Sequence, residues 1–112
     1  MGAAHLNIDL DAVAANWVSL NAKSSDHVET AAVVKADGYG LDAGRVARRL
    51  AGAGVQSFFV AVAAEGQVVR AVVGSDPDIY VFSGHMAHDT DILRAADLIP
   101  LLNSPEQVAR HF

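Results

Sequence analysis

The chain is short and acidic, with 112 residues, a formal net charge of −5, 52% hydrophobic residues and no cysteine. An acidic balance argues against a nucleic-acid partner, because binding to phosphates requires a basic surface, and the lack of cysteine excludes disulfides and thiolate metal sites. Neither a signal-peptide pattern nor an apolar run of about 18 residues occurs, so we expect no membrane segment and a cytoplasmic location.

The first third of the sequence predicts one helix and one strand. Leu10, Val13, Trp17 and Leu20 recur at helical spacing and predict an amphipathic helix, with Trp17 as a packing residue. Residues 31–35, a run of alanine and valine that ends in a lysine, predict the first strand.

The rest of the chain alternates between predicted helices and strands. The first of these helices has Asp42 as its N-cap and Val46, Ala47 and Leu50 as its inward residues. A strand over 56–63, a helix over 64–73 and a strand over 79–82 follow. After them we expect a helix capped by Asp89 or Thr90, a strand over 98–102 that Pro100 weakens, and a helix that begins with a Ser104–Gln107 capping box. Repeated strand–helix units predict an α/β fold with parallel strands. Periodicity leaves two architectures open: a doubly wound sheet and a segment of a (β/α)8 barrel.

Lys35 is the residue whose position most strongly suggests chemistry, because it directly follows an apolar strand. Burial lowers the pKa of a lysine from about 10.4 towards neutrality. A neutral amine is a nucleophile that can attach carbonyl cofactors such as pyridoxal 5′-phosphate (PLP). The alternative is a structural lysine whose stem lies along apolar surface while its charge reaches solvent.

Residues 32–40, Ala-Val-Val-Lys-Ala-Asp-Gly-Tyr-Gly, resemble the cofactor-attachment motif of the PLP-dependent alanine racemases. Gly38 departs from that motif, which usually has alanine there. Residues 59–70 resemble the second strand and helix of the family, with matches at Glu65 and Arg70 and departures at Gly66 and Val69. Residues 79–84 resemble its third strand with a terminal glycine. The resemblance implies the barrel architecture rather than the doubly wound sheet.

The resemblance also implies roles for four residues. Lys35 would hold PLP and act as the acid and base at the substrate α-carbon, and the Tyr39 hydroxyl would contact the cofactor phosphate. Val33 and Phe82 are expected to line the apolar surroundings of the cofactor, since both lie near carboxyl ends of strands. Plain packing is the alternative for Tyr39, Val33 and Phe82.

The implied activity is interconversion of L- and D-alanine for peptidoglycan synthesis. Because a complete barrel needs about 200–250 residues, we expect residues 1–112 to be an N-terminal fragment of the barrel domain, about four βα units long. In the family a second base, a tyrosine, comes from the partner subunit, so we expect a homodimer and little activity from this segment alone. Two alternatives remain open: a non-catalytic PLP-binding module, and an inert fragment that self-associates through unpaired strand edges.

Other polar residues predict no further site. His85 and His88 lie three apart, but no third ligand is apparent, so we expect loop histidines and no metal. Glu65 is expected to favour a helix N-terminus, and Arg70 to make a surface or inter-element contact. The arginines at 45, 48 and 49 indicate a solvated helix face.

Overall fold

The computed structural model describes residues 10–23, 29–34 and 43–112. Within these ranges helices and strands alternate as the sequence predicts. Their bounds are α1 (Leu10–Ala22), β1 (Ala32–Val33), α2 (Ala43–Ala53), β2 (Ser57–Val60), α3 (Ala63–Val73), β3 (Asp78–Val81), α4 (Thr90–Ala95), β4 (Ile99–Pro100) and α5 (Pro105–His111).

The four strands form one parallel sheet in the order β1-β2-β3-β4. One row of register partners crosses the whole sheet and consists of Val33, Phe59, Tyr80 and Ile99. A doubly wound sheet reverses its strand order at a switch point, whereas each described strand here pairs with the next one in sequence. The order is therefore that of a barrel wall.

The core lies between one face of the sheet and the helices. Phe58 and Val60 of β2 and Ile79 and Val81 of β3 have no exposed surface, and they pack in one cluster with residues of α2 and α3. Because side chains alternate along a strand, the intervening residues point to the other sheet face. In α2 the inward residues are those predicted, namely Val46, Ala47 and Leu50.

Helix α1 packs on this core through only part of its predicted stripe. Trp17 packs against the core, and its Nε1 donates a hydrogen bond to the Thr30 carbonyl at 2.8 Å, which confirms its packing role. Leu20 is 58% exposed, so its inclusion in the stripe was wrong. Arg49 of α2 pairs with Asp11 at 3.1 Å, while the other two arginines of α2 are exposed, as expected for a solvated face.

Strand β2 ends earlier than predicted because Glu65 binds the backbone beyond it. Its Oε1 accepts hydrogen bonds from the N–H groups of Ala61 at 2.8 Å and Val62 at 3.4 Å. The N-terminal role of Glu65 in α3 is thereby confirmed. The carboxylate satisfies the backbone donors of the two residues that immediately precede α3.

One predicted helix cap does not form, and a second forms only in part. Asp89 occupies the N-cap position of α4 without a side-chain cap bond, because its Oδ2 accepts from Met86 N instead. Ser104 caps α5 as predicted, with Oγ accepting from Gln107 N at 3.2 Å. The reciprocal half of the capping box was wrong, since Gln107 Oε1 accepts from Asn103 N. Proline is tolerated in β4 because this strand pairs only with β3 among the described residues.

Candidate functional site

The candidate site lies at the carboxyl ends of the parallel strands, which meet at one edge of the sheet. Val33 and Phe82 are 43% and 40% exposed, and both lie on the sheet face that the described helices do not cover. Phe59 joins them, because it is the register partner of Val33 and its ring stacks on Phe82 with centroids 5.3 Å apart. The structure thus brings the two predicted lining residues onto one apolar surface.

Lys35 and Tyr39 lie outside the described residues. The strand pairing reaches the residue before Lys35, since Val34 N donates to Phe59 O at 2.8 Å. Val34 itself is 1% exposed. The chain therefore enters the lysine segment from a buried, hydrogen-bonded strand that borders the apolar surface.

Two aromatic residues of this surface escaped the sequence reasoning. Phe59 and Tyr80 are register partners on adjacent strands, and their rings stack with centroids 4.8 Å apart. Together with Phe82 they form what we term the aromatic wall. Tyr80 could have been predicted from the sequence, because it lies two residues before Phe82 and side chains two apart on a strand share a face. Phe59 could be assigned to this surface only from the register between β2 and β3.

The loop after β3 is held against the start of α5. Gly84 has φ 77°, a left-handed value that favours glycine, and a β-carbon there would collide with the Gln107 side chain and the Leu101 carbonyl. Gln107 donates to Ser83 O at 2.9 Å, and Asn103 Nδ2 donates to Phe82 O at 2.9 Å. These contacts fix the backbone beside the aromatic wall.

His85 is paired with a residue that the sequence analysis did not connect to it. Its ring is 3% exposed and lies with Nδ1 3.1 Å from His111 Nδ1 and Nε2 2.8 Å from Thr90 Oγ1. Burial, reinforced by the charges of His111 and Arg110 and opposed by Asp89, lowers the pKa of His85. The histidines belong to the wall of a cavity of about 300 Å³ between the β3–α4 loop and α5.

The described residues offer no alternative site of metal or membrane type. No group of three or more histidine, cysteine, aspartate or glutamate residues in residues 10–23, 29–34 and 43–112 is arranged to hold a metal ion. Over the same residues, no helix combines the length and apolar character needed to cross a bilayer. His85 and His88 both lie in the loop between β3 and α4, as expected, and His88 is exposed while His85 pairs with His111 instead.

Comparison with known proteins gives a consistent result over nearly the whole chain. The family model described as alanine racemase, N-terminal domain, matches residues 8–111. The chain is 61% identical to the alanine racemase of Dinoroseobacter shibae and 55% identical to that of Cereibacter sphaeroides strain ATCC 17025, in each case over all of this chain and 32% of the relative. It therefore spans about a third of the length of these relatives.

A solved structure agrees with the fold. The crystal structure of alanine racemase from Bartonella henselae with covalently bound pyridoxal phosphate superposes with a TM-score of 0.84 at 35% identity, covering 93% of this chain and 29% of that one. The prediction of an α/β fold that forms part of a barrel is confirmed by this match together with the strand order.

Proposed function

Because the chain belongs to the alanine racemase N-terminal domain family, we propose that it supplies the lysine-bearing part of a PLP-dependent enzyme that interconverts L- and D-alanine. The observation that carries the proposal is the lysine motif of residues 32–40, in which Lys35 follows β1 and the buried, hydrogen-bonded Val34 beside an apolar surface. The activity is proposed for a whole protein, of which this chain would contribute the N-terminal part of the barrel domain.

The described residues fit a PLP group. A pyridine ring is flat and largely apolar, and it matches a surface of exposed apolar and aromatic side chains, here Val33 and Phe82 backed by Phe59. Lys35 follows Val33 by two positions, which is the spacing at which residues of a strand share a face. We assign the covalent attachment to Lys35 and the phosphate contact to Tyr39.

The proposed chemistry is a proton transfer at the α-carbon of alanine. PLP, when bound, supplies an electron-withdrawing ring that weakens the Cα–H bond. Once the amino group of alanine has displaced it from the cofactor, the freed Lys35 amine would take the proton from that carbon as an uncharged base, or deliver a proton to the same face as an ammonium group. Val33 and Phe82 would exclude water, and a desolvated environment favours the neutral form of the amine.

Racemisation also needs an acid or base on the opposite face of the α-carbon. We propose that this group is a tyrosine from a region beyond this chain, delivered by a partner subunit, so that the enzyme acts as a homodimer. We further propose a cytoplasmic enzyme whose product, D-alanine, enters peptidoglycan. The homology to racemases supports these points, while the exposed apolar side chains of Val33, Phe82 and Ile99 indicate a sheet face that other parts of the protein would cover.

Covalent trapping tests the assignment of Lys35, because the chain has only two lysines. The 112-residue chain is incubated with PLP, reduced with borohydride and mapped by peptide mass spectrometry. We expect the phosphopyridoxyl label on Lys35, its loss in Lys35→Arg, and its retention in the matched control Lys23→Arg, because Lys23 follows α1 and is exposed. Equal labelling of both lysines, or none at Lys35, contradicts the assignment.

A chimera tests the activity. Residues 1–112 replace the matching segment of the Dinoroseobacter shibae alanine racemase, which is 61% identical, and D-alanine formation from L-alanine is followed with a D-amino-acid oxidase coupled assay. We expect activity in the chimera and none in its Lys35→Arg variant. PLP binding without racemisation would favour the non-catalytic binding module. Self-association of the chain without PLP binding would favour the inert fragment.

A further inference from the structure

We propose that Gln107 and Asn103 are positioning residues for the cofactor site, because they fix the loop after β3 and with it the backbone of Phe82. The inference rests on the proposed function for the role of Phe82 as a lining residue. It assigns a part in cofactor binding to Gln107, which lies on α5, and to Asn103, which lies just before that helix. Helix α5 contributes no residue to the aromatic wall.

The Gln107 side chain is a buried link between two strand-end loops. It is 8% exposed, and its Oε1 accepts from Asn103 N while its Nε2 donates to Ser83 O, both at 2.9 Å. The first bond holds the loop after β4, and the second holds the loop after β3. An amide is suited to this place because it offers a donor and an acceptor on one planar group.

Asn103 extends the link to the lining residue itself. Its Nδ2 donates to Phe82 O at 2.9 Å, and Phe82 N donates to Val60 O at 2.9 Å. Both backbone polar groups of Phe82 are therefore held while its side chain remains 40% exposed. A fixed backbone with an open side chain is the arrangement expected of a residue that offers its ring to a ligand.

Gly84 shows how closely the two loops approach. A β-carbon at this position would meet the Gln107 side chain and the Leu101 carbonyl. The contact thus depends on a residue without a side chain, and a larger residue at position 84 would force the loop after β3 apart from Gln107 and Leu101.

A matched set of variants of the chimera separates positioning from general stability. Gln107→Glu keeps the size and the acceptor but loses the donor to Ser83 O, which would then face a carboxylate oxygen. Gln67→Glu makes the same chemical change at an exposed position of α3. Arg70→Met removes contacts to four backbone carbonyls away from the β3–α4 loop, so it reports the effect of destabilisation alone.

PLP affinity and the visible circular dichroism of the bound cofactor are measured for each variant beside the urea midpoint. We expect Gln107→Glu to weaken PLP binding about tenfold or more and to alter the dichroic band, since small displacements of a supporting group are costly at a preorganised site. We expect Gln67→Glu to match the parent chimera and Arg70→Met to lower the urea midpoint with PLP affinity within about twofold of the parent.

Each outcome bears on a distinct claim. A parent chimera that binds no PLP overturns the proposed function and this inference with it. A parent that binds PLP while Gln107→Glu binds equally well overturns the inference alone, as does an equal loss of affinity in Arg70→Met. If Gln107→Glu does not fold, Asn103→Ala decides, because it removes only the bond from the exposed Asn103 side chain to Phe82 O; unchanged affinity and dichroism in that variant reject the positioning role.

Discussion

Replacing Arg70 with methionine removes a guanidinium that joins three segments of backbone through four carbonyl groups. Its Nη1 donates to the carbonyls of Gly74 and Pro77 at 2.8 and 2.7 Å, its Nε to Ala96 O and its Nη2 to Asp97 O, both at 2.8 Å. These carbonyls belong to the end of α3, the turn before β3 and the residues after α4. Asp97 has φ 52°, an uncommon conformation for a residue other than glycine, and Arg70 holds its carbonyl.

The expected cost follows from the burial of these bonds. A hydrogen bond to a charged group contributes about 1.5–3 kcal/mol net when it is removed from solvent. Only the bonds to Ala96 O and Pro77 O are partly buried, and the two exposed bonds contribute little. Taking the lower value for each of the partly buried bonds, we expect Arg70→Met to lower the free energy of unfolding by about 3 kcal/mol. Methionine retains the apolar stem, so the loss reports the hydrogen bonds.

Urea unfolding of the chain, followed by far-ultraviolet circular dichroism, measures this loss. Arg48→Met is the matched control because Arg48 is exposed on α2, and its effect should stay within about 0.5 kcal/mol. Arg70→Lys should recover only part of the loss, because an ammonium cannot reproduce the planar fork that reaches several carbonyls at once. An Arg70→Met variant as stable as Arg48→Met would refute the reasoning.

Two further predictions concern pH and packing. The pKa of His85 is lowered in the folded state, so the unfolded chain binds the proton more readily. The contribution of His85 to stability is therefore complete above about pH 6.5 and is lost as the pH falls below that value. His85→Gln should flatten this dependence in urea titrations at about pH 5–8. If the stability of the unsubstituted chain did not change with pH over this range, the lowered pKa of His85 would be contradicted. At Gly66 a β-carbon would lie 2.8 Å from Leu98 Cδ1. We expect Gly66→Ala to cost about 1 kcal/mol despite its helix propensity, and a Gly66→Ala/Leu98→Val double variant to recover most of it; a stabilised single variant would show that Leu98 moves freely.

The order of elements could be predicted because it depends on local patterns. The inward residues of α2 follow the helical period, and Pro105 after Ser104 marks the start of α5 in the sequence itself. The apolar strand before Lys35 was likewise visible as a run of alanine and valine. Patterns of this kind involve residues a few positions apart, whose relative placement is set by the geometry of one helix or strand.

Pairings between distant residues were decided by the tertiary structure. The contact of His85 with His111 and that of Gln107 with the loop after β3 join residues more than 20 positions apart. Phe59 became part of the aromatic wall only through the register of β2 with β3. Such contacts depend on strand register and on the packing of α5 against the sheet, which arise from the sum of many contacts rather than from a local period. The sequence by itself determined which segments are helices and strands and that a lysine follows the first strand; only the folded sheet decided which side chains meet at its carboxyl edge.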